Sequence, residues 1–116
     1  MLPISSQSRF SLYAHPTDMR KSFDGLQGII ADNLNRNPLS GEIFIFINKR
    51  RDRIKMLVWD RNGFWLFYKR LEQGRFQKLL SADEKGLNIS YETLVMLLEG
   101  VDLKHVERRK RYQKSA

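Results

Sequence analysis

The chain contains no cysteine, three prolines and two histidines, and no apolar run longer than five residues; each shortage removes a class of function. Without cysteine there is no thiol nucleophile, no thiolate metal site and no disulfide framework. The longest apolar stretches, Ile43–Ile47, Phe64–Tyr68 and Leu94–Leu98, fall far short of the ~18 residues that cross a bilayer, so no membrane anchor is expected. Met1 to Ser8 has neither a basic start nor an apolar h-region, and a cytoplasmic location is the expectation. His15 and His105 stand without ligand spacing, and Gly25-Leu26-Gln27-Gly28 lacks the lysine and the glycine spacing of a phosphate-binding loop.

What is present is charge of one sign. Twenty-one Lys and Arg face thirteen Asp and Glu, a net charge of +8 in 116 residues, with 41% hydrophobic residues and 11% aromatics. That composition is a folded domain, of a size that buries roughly 65% of the surface its unfolded chain exposes. It is too small for a core plus an elaborated polynucleotidyl-transferase site. We read residues 1–100 as one α+β domain and 101–116 as a basic C-terminal tail that orders mainly on binding.

Excess positive charge points to a polyanionic partner, because neutralising phosphates releases counterions. Here it comes in runs. Lys49, Arg50, Arg51, Arg53 and Lys55 fall within seven residues, Lys69, Arg70, Arg75 and Lys78 within ten, and Lys104 to Lys114 adds a third cluster that includes Arg108, Arg109, Lys110 and Arg111.

The pattern along the chain predicts a short strand over Arg9–Ala14, stopped by His15-Pro16. A helix capped by Ser22 follows, with Phe23, Leu26, Ile30 and Leu34 on one ~80° arc, and then a loop over Asn35–Gly41. From Glu42 to Leu80 the period changes to β, giving a mainly antiparallel meander of four to five strands. Asn62-Gly63, read as a two-residue type I′ turn, sets Arg61 opposite Phe64, Leu57 opposite Tyr68, Lys55 opposite Arg70 and Arg53 opposite Glu72. A four-residue loop over Lys49–Asp52 sets Ile47 opposite Ile54, Ile45 opposite Met56 and Ile43 opposite Val58. One face then carries Ile43, Ile45, Ile47, Ile54, Met56, Val58, Trp65 and Phe67 as the core. The other carries Phe44, Phe46, Leu57, Trp59, Leu66 and Tyr68 beside the like-charged pair Lys55/Arg70, which needs an anion such as Glu72 or a phosphate between its members. Ser81–Gly86 reads as a turn, and Ser90 caps a second helix with Tyr91, Leu94, Leu97 and Leu98 on its buried face, ended by Gly100.

No catalytic constellation emerges, and the protein is read as a non-enzyme with no cofactor. Asp18, Asp24, Asp52 and Asp60 are the best acidic candidates for magnesium, but the pattern does not bring them together; Asp18 and Asp24 serve equally to open a helix. Asp102-Leu103-Lys104 has the acid-x-lysine form of some nucleases without an identifiable second acid. Two helices separated by a whole sheet exclude a helix-turn-helix. The better match is binding: a basic sheet surface and hairpin loop that holds phosphates, with Trp59, Phe64 and Tyr68 for stacking or for a protein partner.

Thr17-Asp18-Met19-Arg20-Lys21-Ser22-Phe23-Asp24-Gly25-Leu26 and the run Arg51-Asp52-Arg53-Ile54-Lys55-Met56-Leu57-Val58-Trp59-Asp60, followed by Tyr68-Lys69-Arg70-Leu71-Glu72-Gln73-Gly74-Arg75-Phe76, carry a resemblance. Together and in this order they resemble the small accessory protein encoded by the second short reading frame of bacterial insertion sequences of the sixty-six family. It is often called TnpB, a name shared with unrelated RNA-guided nucleases. The resemblance covers nearly everything from Tyr13 to Gly100. It implies an accessory factor in DNA transposition that works beside a separate, larger DDE transposase. Relatives often carry acidic or glycine residues where this chain has Arg61-Asn62, so this turn is more basic than theirs.

The expected function is nucleic-acid binding, to the DNA of the element ends, through Lys49, Arg50, Arg51, Arg53, Lys55, Lys69, Arg70, Arg75 and the tail cations Arg108, Arg109, Lys110 and Arg111. The alternative is a protein-interaction adaptor that docks the transposase or a second copy of itself, with the charge serving solubility. The residues do not separate DNA from RNA.

Overall fold

The computed structural model describes residues 2–79 and 85–101. Within them the order is β1 (Phe10–Tyr13), α1 (Phe23–Asp32), β2 (Ile43–Ile47), β3 (Arg53–Asp60), β4 (Gly63–Arg70), β5 (Gly86–Ile89) and α2 (Tyr91–Glu99). The five strands form one sheet in the order β4-β3-β2-β1-β5. β1 and β2 pair in parallel, and the other neighbours are antiparallel. A parallel pair needs a crossover, which here includes α1.

That crossover decides what the sheet faces. On one side Leu94 and Leu97 of α2 pack with Phe10, Leu12, Ile43, Ile45, Ile54, Met56 and Val58. On the other, Leu26 and Ile30 of α1 pack with Phe44, Phe46 and Leu57, all fully buried. The continuous apolar run of β2 is therefore that of a strand covered on both faces. Each of those side chains contributes about 1.5–3 kcal/mol by leaving water. The face carrying Phe44, Phe46 and Leu57, expected to stand apart from the core, is a second core. Trp65, expected in the core, is 44% exposed because β4 is an edge strand that α2 leaves partly uncovered.

The loop before β3 gives the expected pairs Ile47/Ile54 and Ile45/Met56. The β3–β4 register differs from expectation by two residues: Asp60 pairs with Gly63, Trp59 with Phe64, Leu57 with Leu66, Lys55 with Tyr68 and Arg53 with Arg70. Arg61, at φ 55, takes the left-handed position, and the Asn62 N–H donates to the Asp60 carbonyl at 2.5 Å. Arg61-Asn62 thus closes the hairpin in place of Asn62-Gly63. A two-residue slip keeps every side chain on its expected face and changes only its partner.

Ser90 caps α2 by accepting the Thr93 N–H at 3.1 Å, and Gly100 follows the helix at φ 76. Ser22 holds the corresponding position of α1 but makes no side-chain cap bond. β5 was not expected, since Gly86-Leu87-Asn88-Ile89 is short and poor in β-branched residues. Arg75–Leu79 is not a strand; its one bridge is antiparallel, Arg75 to Val101, and it is anchored by Phe76, which is buried in the α2-side core. Most of the tail, with Arg108, Arg109, Lys110, Arg111, Asp102 and His105, lies outside the described residues, as does most of the expected turn over 81–86.

Candidate nucleic-acid interface

The β2–β3 loop is built by one asparagine. Asn48 Oδ1 accepts the N–H groups of Asp52 and Arg53, both at 3.0 Å, and its Nδ2 donates to Asp52 Oδ1 at 2.7 Å. From the other side, the Leu71 N–H donates to the Asp52 carbonyl at 2.7 Å and the Phe76 N–H to the Arg51 carbonyl at 2.6 Å. The loop is held at both ends, and Lys49 and Arg50 project from it exposed. The bond from Asn48, aided by nearby Arg50, keeps the Asp52 carboxyl below its ordinary range.

A second segment closes on this loop. The Thr17 N–H donates to the Ile47 carbonyl at 2.9 Å. Lys55, only 5% exposed, sends its ammonium to the carbonyls of Met19 at 2.8 Å and Lys21 at 2.7 Å, with the ion 4.7 Å from the Tyr68 ring centre. Asp18 is held by the side chain and backbone N–H of Arg20, which lowers its carboxyl from 3.8 to about 2. Between the two segments lies a groove of about 440 Å³ bordered by Pro16–Met19 on one side and by Lys49, Arg50 and Arg53 on the other.

Asp18 and Asp52, two of the four acids considered for magnesium, line one groove, but each carboxylate is already engaged, by Arg20 and by Asn48. Among the described residues no three His, Cys, Asp or Glu side chains gather as a metal site. Lys49 and Arg50 make no side-chain hydrogen bond or ion pair among the described residues, which leaves their charge available at the groove. Arg50 also borders a second groove of about 270 Å³, shared with Glu72 and Arg75.

The other cations read from the sequence divide. Lys55 is removed from the surface: its ammonium is spent on two carbonyls, so it positions the 19–21 segment and is not free for phosphate. The like-charged cross-strand pair is Arg53/Arg70 in place of Lys55/Arg70, and it is relieved on both sides. Arg53 donates to the Tyr68 hydroxyl at 3.2 Å, and Arg70 to Glu72 at 2.9 Å. Lys69 points to the opposite face and donates to the Leu98 carbonyl at 2.7 Å, satisfying an open carbonyl at the end of α2. Arg51 lines a neighbouring cleft and not the groove. Arg75 is exposed beside the second groove.

The aromatics divide as well. Trp59 and Phe64 are cross-strand partners in an edge-on pair, ring centres 5.1 Å apart, and Phe64 packs against the α1 core. Tyr68 is 51% exposed. Arg20 reaches the edge of the groove through its bonds to Asp18 and is not among the cations read from the sequence, where nothing ties it to the loop.

Residues 8–108 match a family model described as IS66 Orf2 like protein. Two proteins of Sinorhizobium fredii align over nearly their whole lengths. The uncharacterized protein y4jC is 32% identical over 109 residues, 94% of this chain and 92% of its own. The uncharacterized protein y4hO is 36% identical over 105 residues, 90% of each chain. No solved structure matches.

Proposed function

The chain belongs to the IS66 Orf2-like family, and on that premise we propose that it is a non-catalytic accessory factor for transposition of an insertion sequence, binding the DNA of the element ends through the groove between Pro16–Met19 and the β2–β3 loop. The observation that carries the reading is the placement of Lys49, Arg50 and Arg53 along one groove whose two carboxylates are already engaged. The hydrogen bonds of Asn48 hold that loop in place before any partner arrives, which lowers the ordering cost of binding. Phosphate contacts of this kind position a protein on nucleic acid without reading bases, so discrimination of the element ends has to come from further contacts.

The test is genetic. A marked element with its transposase inserts at high frequency when this reading frame is supplied, and at low frequency with the K49A/R50A/R53A variant or without the frame. Wild-type frequency with a folded triple variant contradicts the binding half of the proposal.

One observation favours a second reading. β4 is an eight-residue edge strand with Trp65 and Tyr68 exposed along it, a surface on which another strand can pair. In that reading the protein is an adaptor that docks the transposase or a second copy of itself. A monomer by sedimentation that also fails to retain the purified transposase counts against it.

A further inference from the structure

A cleft of about 420 Å³ adjoins the groove and shares Pro16, Asn48 and Lys49 with it. Its apolar lining comes from Leu12 and Ile47, which belong to the α2-side core, and from Ala14 and Pro16. Its rim carries Lys49, Arg51 and Lys78, and no carboxylate is present among the described residues that line it. Asn48 and Gln77 add amide groups able to donate and accept.

Arg51 distinguishes this cleft from a chance hollow. Its backbone sits at φ 57, a conformation that glycine or asparagine adopts at lower cost. It is held there by its own N–H donating to the Asn48 carbonyl at 3.0 Å and by its carbonyl accepting from Phe76. The buried Nε has no hydrogen-bond partner among the described residues. A buried guanidinium nitrogen without an acceptor, beside two lysines, calls for an anion. The apolar lining calls for a flat or apolar body attached to that anion.

We propose that this cleft holds one unpaired nucleotide, with its phosphate on Arg51, Lys49 and Lys78 and its base against the apolar lining at Ile47, Ala14 and Pro16. The inference rests on the nucleic-acid reading above and adds to it: the groove meets the duplex, and the cleft takes a nucleotide that has left it. Lys49 borders both spaces and joins the two paths. A strand end or a locally opened duplex presents such a nucleotide, whereas a blunt, fully paired duplex does not.

The experiment uses fluorescence anisotropy with the full chain and three probes of one sequence: a blunt DNA duplex, the same duplex with a three-nucleotide DNA overhang, and the same with an RNA overhang. Wild type binds an overhang probe about tenfold more tightly than the blunt one, the scale of a single base docked on an apolar surface. The two overhang arms tell deoxyribose from ribose at the site. The informative variant is Arg51→Gly, which removes the guanidinium while relieving the backbone, so it folds at least as well as wild type. In it the overhang preference falls to near one. Equal binding of blunt and overhang probes by wild type, or an unchanged preference in R51G, overturns the cleft proposal and leaves the groove reading standing. Binding to none of the three probes overturns both.

Discussion

Replacing Lys55 by methionine keeps the length and apolar stem of the side chain and removes only the ammonium. Two carbonyls, Met19 and Lys21, then lose a charged donor at 2.8 and 2.7 Å. Hydrogen bonds to a charged group contribute about 1.5–3 kcal/mol each. Against that stands the desolvation of an ammonium that is 5% exposed, which the substitution relieves. The net cost is about 2–4 kcal/mol. For 116 residues, an unfolding entropy of about 2.1 cal/mol/K per residue converts each kcal/mol into about 4 °C, so Tm falls by about 8–16 °C. Calorimetry measures the loss, and trypsin cleavage after Arg20 and Lys21 reports its location, because the tether that holds this segment to β3 is gone. A fall in Tm under about 2 °C together with an unchanged cleavage rate refutes the view that Lys55 joins the two sequence blocks.

Two further outcomes follow from local geometry. Ser90→Ala removes the cap on Thr93 and costs about 1 kcal/mol, whereas Ser22→Ala, which loses no side-chain cap bond, leaves Tm nearly unchanged; parallel thermal melts compare them. Asp18 titrates near 2 by carboxyl NMR and moves back toward 3.8 in Arg20→Ala, since the Arg20 hydrogen bonds lower it. Its folded value lies below its unfolded one, so whatever stability the pair contributes is present above about pH 4 and disappears as the pH falls through about 2.

The parts of the molecule legible in the sequence are those set by short-range pattern. Ile47 and Ile54 find each other because a four-residue loop and one alternating period leave a single register. The β3–β4 hairpin shows the limit of such reasoning: Asn62-Gly63 signals a turn, yet Arg61 takes the left-handed position, and the strands pair two residues out of the expected phase. The parity survived, so the faces were right and the partners wrong. What pattern does not carry is the layer above. The parallel pairing of β1 with β2 swings α1 across the second face, so the face read as a surface for stacking or for a protein partner is a core under the first helix. Lys55 illustrates the consequence for the site. A lysine within Ile54-Lys55-Met56-Leu57 reads as a solvent position, and only the arrival of the 19–21 backbone shows that its charge is engaged. The exposure of Lys49 and Arg50 is legible because a loop cation needs no tertiary partner to stay exposed. The link of Arg20 to the groove, through Asp18, is a product of the fold and has no local signal.

The most direct measurement of the central claim is the salt dependence of binding to an element-end duplex, for wild type and for K49A/R50A/R53A. If these three side chains meet phosphates, the log–log slope of the wild type is steep, and the variant's is shallower by about 2.7, roughly 0.9 for each phosphate no longer neutralised. A folded variant whose slope and affinity equal those of wild type contradicts the account, and places the nucleic acid elsewhere on the protein.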